Sequence, residues 1–401
     1  MGYRKAVIIG AGKIGRGLIA GILRTNGIEY CFIETDPALI RQFRENSQYL
    51  LHILGGREQI IPMRTVPIYA LFETAEIEKR LLEADLIFTA VGGRNLREVG
   101  EFLGERLEHI LPERSWARAL NMIVHENWKY KDSDLSENIQ KKLSRENQSL
   151  FQDMVGICTA ISMGLSVDPV DEESRKREPL GIWMQDQWSI FVNKAGYKGD
   201  LPKIKGIGFV DQFLQLQSQA LYTNNASSAV ISYIGWLKGY QYVSDAAHDP
   251  EIETLLDQAY REIEAGLVRG LHIFPKDQQE FARRAKEKYQ DIRIRDTVKR
   301  HARDPLRKLA PDERLLAPAR MAVKSGMEPK ALAAGIAAAL YYEDPEDESA
   351  CRLAALRREK GEAFVLHEIC GLEKGEPLEK LILEQLPWIH HLFCQGRKLT
   401  K

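Results

Sequence analysis

"KAVIIGAGKIGRG", residues Lys5 to Gly17, sets a short β-branched apolar run against a cluster of glycines near the start of the chain. The pattern GxGxxG is weak on its own, so its flanks decide the reading. "KAVII" supplies a strand before it, and "IGRGLIAGILRTNG" supplies a helix after it, with Gly27 as the residue that stops the helix. The next apolar run, "EYCFIE", ends at Glu34, 24 positions after Gly10. That is near the spacing of about 20 residues at which an acidic side chain meets the ribose hydroxyls of a dinucleotide. Strand, glycine turn, helix and acid-tipped strand are thus in register for a nucleotide-binding βαβ unit. Gly10 permits the tight turn, Gly12 lets a diphosphate approach the main chain, and Gly15 lets the helix close on the strand. Lys13 and Ile14 carry the leading N–H groups of that helix toward the phosphates. A carboxylate at Glu34 repels a 2′-phosphate and pairs with a free hydroxyl, so the expected cofactor is NAD. Asp36 is open to two readings, as a partner of Glu34 or as the N-cap of the helix "PALIRQF".

Working outward, "LIFTAVGG", "ALNMIVHEN", "VGICTAI" and "SIFVNKAG" alternate with helical patterns as far as about Gly196. This predicts an α/β domain of Rossmann type, a doubly wound and mostly parallel sheet. After about Phe209 such runs vanish, and "PEIETLLDQAYREIEAGLVRGL", "PKDQQEFARRAKEKYQDI" and "PKALAAGIAAALYYED" read as helices, the last of them buried. The expected organisation is a nucleotide-binding domain over residues 1–196 and a mostly α-helical domain over 197–401, with "YKGDLPKIKGIGF" as the boundary. Ala90, Val91 and Gly92 end a predicted strand in small residues. Ligands of such sheets lie beyond the carboxyl ends of the strands, so these three are further cofactor candidates, with a plain tight turn as the other reading.

Bulk composition narrows the partners. The 401 residues carry 56 Lys plus Arg against 57 Asp plus Glu, a formal net charge of -1. Nothing in that balance draws the molecule to nucleic acid or to an anionic membrane. Five scattered cysteines form neither a CxxC pair nor a metal-ligand spacing. No apolar run reaches the ~20 residues of a membrane span. The expectation is a soluble, unprocessed, cytoplasmic protein with a small-molecule partner and no metal, its oligomeric state open.

Longer stretches carry a resemblance. "GAGKIGRG", "FTAVGG", "HENW", "YKGDLPKIKG", "SYIGWLKGYQYVSDAAHDPEI", "RIRDTV" and "DPLRKLAPDERLLAPA" make the whole chain resemble the polyol-specific long-chain dehydrogenases, the mannitol dehydrogenase family with its mannitol-1-phosphate 5-dehydrogenase branch. The resemblance implies an amino-terminal dinucleotide domain, a helical carboxy-terminal domain, no metal, and hydride transfer between NAD and a polyol, sugar acid or sugar phosphate. It also places Glu126 and Asn127 on the nicotinamide side. The family's catalytic signature, Lys-x4-Asn-x2-His on one helix, falls on "ALYTNNASSA", where only Asn225 is kept. Ala220 stands at the lysine position and Ser228 at the histidine position. At ~100° per residue the three positions would share one face of a helix. Alanine cannot exchange a proton, and an unassisted serine hydroxyl is a poor base. The family's charged pocket segment matches "AISMGLSVD" only loosely, without its charged pair.

The candidate catalytic set is therefore Asn225, Ser228 and His125, the last placed by its strand end and by the suitability of imidazole for proton exchange near neutrality. Lys238 and Tyr222 are further candidates against readings as a surface lysine and a core tyrosine. Arg295, Arg303 and Arg307 would suit an anionic substrate unless neighbouring carboxylates balance them. Two functions stay open. One is an NAD-dependent oxidoreductase with a modified proton relay; the other is a catalytically inactive NAD(H)-binding sensor or partner protein.

Overall fold

The first strand, β1 (Lys5–Ile9), is buried along nearly its whole length, as befits a central strand covered on both faces. Its alternation feeds two cores. Ala6 and Ile8 join Phe32 and Phe88 on one side, while Val7 and Ile9 join Ile87 and Leu103 on the other. The structure, a computed structural model, describes residues 5–54, 59–115, 118–126, 131–164, 166–167 and 172–399. Around β1 stand β2 (Glu29–Glu34), β3 (Gln48–Leu54), β4 (Gln59–Arg64), β5 (Ile68–Ala70), β6 (Leu86–Thr89), β7 (Leu120–Val124) and β8 (Val155–Ser162). Then come β9 (Ser166–Val167), β10 (Ile182–Gln185), β11 (Ile190–Asn193) and β12 (Ile207–Val210).

Eight of these form one sheet in the order β12-β11-β8-β7-β6-β1-β2-β5. β1 pairs in parallel with β2 on one side and with β6 on the other. The chain thus winds outward in both directions from β1, and the crevice between the carboxyl ends of β1 and β6 is the topological switch point. The antiparallel contact of β11 with β8 is the departure from parallel order within this sheet.

The other four strands form a second sheet, β4-β3-β10-β9, which the sequence reading did not include. It is assembled from segments far apart in the chain, since β3 pairs with β10, so no local pattern announces it. It packs on the helical segment after the glycine turn: a Cβ at Gly17 would lie 3.1 Å from Ile182 Cγ2. The helix itself ends at Thr25 with Gly27 in the left-handed region, as its sequence predicts.

The chain divides into two compact units, residues 1–213 and 214–401. The first runs past Gly196, where composition had put the boundary. Two asparagines pin the Gly/Pro/Lys-rich stretch to it: Asn121 exchanges hydrogen bonds with the Lys198 backbone at 2.9 and 3.1 Å, and Asn26 does so with Lys205 at 2.8 and 2.9 Å. β12 then pairs in parallel with β11.

The second unit has a helix in every named element, with one antiparallel bridge joining Tyr242 to Thr297. Its centre is the helix Lys330–Leu340, whose residues from Ala331 onward are all buried. Glu262, itself buried, receives the Ala331 and Leu332 N–H groups at 2.8 and 2.9 Å and so closes the start of that helix. Pro250–Leu271 and Pro275–Gln290 form with proline in the first turn, as predicted. Among the described residues no helix is long and apolar enough to cross a membrane.

Candidate functional site

The glycine turn closes β1 over the switch point, and its three glycines stand in three different surroundings. Gly10 has φ +95°, and a Cβ there would stand 2.4 Å from the Ala90 carbonyl oxygen. At Gly15 a Cβ would stand 2.1 Å from the Gly10 carbonyl oxygen. Both are demanded by the protein's own packing. Gly12 is different: a Cβ there meets nothing within 4 Å. Among the described residues no neighbour accounts for its bareness, which leaves a cradle that a side chain would enter. The Gly12 carbonyl accepts the Arg16 amide at 2.9 Å, so the helix opens here. Lys13 and Ile14 stand in the first turn of that helix, beside Gly12.

Glu34 ends β2 beside this turn. Its Oε2 receives the Ala11 N–H at 2.7 Å, and its Oε1 receives the Thr35 and Asp36 amides at 2.7 and 3.1 Å. A carboxylate oxygen takes about two donors, so Oε2, with one, retains room for a hydroxyl. Asp36 accepts from Ala38 and Leu39 at 2.8 and 3.3 Å and is the N-cap of Pro37–Glu45.

Across the crevice, Ala90, Val91 and Gly92 follow β6. The Ala90 amide donates to the Ile9 carbonyl at 2.8 Å. Val91 and Gly92 donate to the two carboxylate oxygens of Glu126 at 2.8 and 2.9 Å. Glu126 is buried, and it acts here as the clamp that holds the small-residue turn open. Replacing it by Gln turns an NH2 toward one of those donors. The expected cost is about 2 kcal/mol, read as a fall of roughly 4–8 °C in the melting of the first unit. An unchanged melting temperature would remove the clamp.

The neighbouring His125 donates its backbone N–H to the Thr89 carbonyl at 3.3 Å, which fixes it at the end of β7. Its Nε2 is shielded from solvent. Asn127 lies outside the described residues.

In the second unit the segment around Asn225 is not one uniform α-helix. Phe213–Ala220 is α-helical, Leu221–Asn225 widens into a π-turn, and Ala226–Leu237 resumes the α-helix. A π-turn inserts an extra residue per turn, and such turns concentrate at functional sites. It rotates Ala220 relative to Asn225 away from the arc expected of a continuous helix. Ser228 is buried, and its hydroxyl donates to the Asn225 carbonyl at 3.2 Å. Thr223 and Asn224 are also buried.

Alongside runs the helix Pro275–Gln290. Gln278, fully buried, accepts from Gln219 at 3.1 Å and donates to Thr223 Oγ1 at 2.9 Å. Tyr289 donates to the Asn224 carbonyl at 2.8 Å, and its hydroxyl also meets that of Ser228. Neither Gln278 nor Tyr289 was singled out by the sequence reading, because both join the motif across more than fifty residues.

The remaining candidates are engaged elsewhere. Lys238 pairs with Asp249 at 2.7 Å and Glu251 at 2.8 Å. Tyr222 reaches the Asp312 carbonyl at 3.5 Å. Arg295 pairs with Asp245 at 2.9 Å, and Arg307 with Asp304 at 2.7 Å and Glu313 at 3.2 Å. Arg303 is exposed. The basic stretch is thus largely balanced by carboxylates within its own unit.

The comparisons with known proteins match both units. The model of the mannitol dehydrogenase Rossmann domain matches residues 4–206, and that of the mannitol dehydrogenase C-terminal domain matches 214–368. The chain is 31% identical over 382 residues to mannitol-1-phosphate 5-dehydrogenase of Bacillus pumilus, covering 95% of this chain and 99% of the relative. It is 32% identical over the same length to the protein of that name from Bacillus subtilis, with the same coverage. Among solved structures it is similar to Pseudomonas fluorescens mannitol 2-dehydrogenase, determined as a ternary complex with NAD and D-mannitol. The TM-score is 0.76 at 14% identity, covering 100% of this chain and 94% of that one.

Proposed function

The chain belongs to the mannitol dehydrogenase family, and from that premise we propose that it is an NAD-dependent oxidoreductase acting on a carbinol carbon of a polyol, sugar acid or sugar phosphate. The observation that carries the reading is Gly12, bare with no neighbour among the described residues to require it, at the opening of a helix beside the switch point. The residues fit the cofactor. NAD, when bound, supplies the hydride acceptor. The Gly12–Ile14 main chain holds the diphosphate, and Glu34 Oε2 takes a ribose hydroxyl. The turn Ala90–Gly92, held by Glu126, would take the second half of the dinucleotide.

On the second unit, Asn225 keeps the amide with which the family holds the substrate oxygen. Ser228 adds a hydroxyl beside it, Ala220 offers no proton-exchanging group, and His125 is a further candidate for proton exchange on the first unit. The relatives are named mannitol-1-phosphate 5-dehydrogenase, which supports trying a hexitol phosphate first. We place the protein in the cytoplasm, in keeping with its free cysteines.

The test mixes the protein with NAD and a panel of hexitol phosphates, hexitols and sugar acids, and follows the reduced nicotinamide by absorbance. One substrate giving steady turnover establishes the dehydrogenase. A second reading, an NAD(H)-binding sensor, is motivated by Ala220 and by the Ser228 hydroxyl being turned to the Asn225 carbonyl; tight NADH binding with no turnover on the whole panel would select it. Under either reading, Glu34 should make NADPH bind at least roughly tenfold more weakly than NADH, measured by fluorescence titration. Equal affinities would sink the assignment of Glu34.

A further inference from the structure

The amino ends of β1 and β2 border a cavity of about 640 Å³, and its described lining residues all belong to the first unit. It lies at the edge of the sheet opposite the glycine turn. Lys5 and Glu29 stand side by side where the two strands begin, and the five residues of β1 carry the chain roughly 16 Å from there to Gly10. Ligands of such sheets sit beyond the carboxyl ends of the strands, so a dinucleotide at the switch point does not account for this cavity.

Its charge is one-sided. Lys5, Arg24, Arg64 and Arg80 line it against the carboxylate of Glu29, in a chain whose formal net charge is -1. Two of these cations are engaged. Lys5 pairs with Glu83 at 2.7 Å, and Arg80 meets Glu29 at 3.6 Å and the Tyr69 hydroxyl at 3.0 Å. Arg24 and Arg64 are exposed, and among the described residues neither has a carboxylate partner. Arg24 donates to Met63 Sδ at 3.5 Å, a weak acceptor, which brings it to the residue preceding Arg64. A cation in the last turn of a helix is favoured by the helix dipole, and that accounts for Arg24 at the end of Ala20–Thr25. Arg64 closes the strand β4 and has no such reason to be there.

Between the cations the wall is apolar, with Ile28, Val66 and Pro67. The cavity exceeds what an inorganic phosphate needs and falls within the ~300–1,000 Å³ of small-molecule sites. Guanidinium forks match phosphate oxygens in pairs.

We propose that this cavity is a ligand site separate from the glycine turn, taking an organic phosphate whose carbon body rests on Ile28, Val66 and Pro67 and whose phosphate oxygens meet Arg24 and Arg64. Binding involves no covalent step, and the inference goes beyond the dehydrogenase reading without resting on it.

ATP is the probe, titrated by calorimetry into Gly12→Asp, in which the glycine turn is closed to phosphate. The same titration is made after adding Arg24→Ser with Arg64→Ser, or Arg64→Glu alone, to that protein. Gly12→Asp should bind one equivalent of ATP with a Kd below about 1 mM. Removing both guanidinium groups should weaken binding at least roughly tenfold, as should reversing the charge at Arg64. Adenosine, the same body without phosphates, should bind at least roughly tenfold more weakly than ATP. In the wild-type protein, ATP should slow amide hydrogen exchange at residues 28–31 and 64–66, a readout that needs no variant to fold.

Gly12→Asp without ATP binding overturns the inference, as does binding that survives both arginine changes. So does protection in the wild type that falls on residues 10–16 and spares 28–31 and 64–66, which would put the ATP at the glycine turn. None of these results depends on turnover of a polyol, so the dehydrogenase reading stands or falls by its own test.

Discussion

Gly12→Asp should leave the protein folded, with its melting temperature within roughly 4 °C of wild type, while lowering its affinity for NADH by at least about 100-fold, equivalent to ~2.7 kcal/mol. The two halves of this result have separate causes. A Cβ at position 12 meets no atom of the described residues within 4 Å, so packing does not resist the first atom of a side chain there. Aspartate is also a favourable residue where a helix begins, because its oxygen can accept an N–H of the first turn and its charge suits that end of the helix dipole. The same oxygen then occupies the place of the diphosphate and repels it. Thermal melting and fluorescence titration measure the two separately. Unchanged affinity would remove the dinucleotide from this turn; a collapse in melting temperature would show that the chain itself needs the glycine.

Gly15→Ala should do the opposite. Its added methyl falls 2.1 Å from the Gly10 carbonyl oxygen, a backbone atom with no rotamer by which to move aside. The helix must lift from β1 or the turn must distort, at a cost of about 3 kcal/mol. The first unit should melt roughly 6–12 °C lower. Weakened NADH binding would follow from the displaced turn. A stable Gly15→Ala protein with normal affinity would mean that helix and strand are less closely packed than the geometry requires. Taken with Gly12→Asp, this variant separates glycine kept for the fold from glycine kept for a ligand, a distinction invisible in the string GxGxxG.

Much of the molecule was readable without coordinates where the cause is local. The β1 strand, the helix stopping at Gly27, the N-cap at Asp36 and the proline-led helices at 250 and 275 all follow from side-chain periodicity or from groups within four residues of one another. The second sheet was not readable, because β3 finds β10 across more than a hundred residues. Nor was the unit boundary: "YKGDLPKIKG" has the composition of a linker, but Asn26 and Asn121 bind it to the first unit. For Glu126 the resemblance gave a position and not a task, which became visible only once Val91 and Gly92 were seen to donate to it.

By itself, then, the amino-acid order determined the kind of layers this protein builds and the glycine turn that closes its first strand. Those are matters of steric size and short-range pattern, which each segment carries within it. Only the tertiary structure decided which charges are neutralised and where the π-turn places Asn225. Electrostatic pairing and burial depend on neighbours brought together from distant parts of the chain, and no window along the sequence contains both partners.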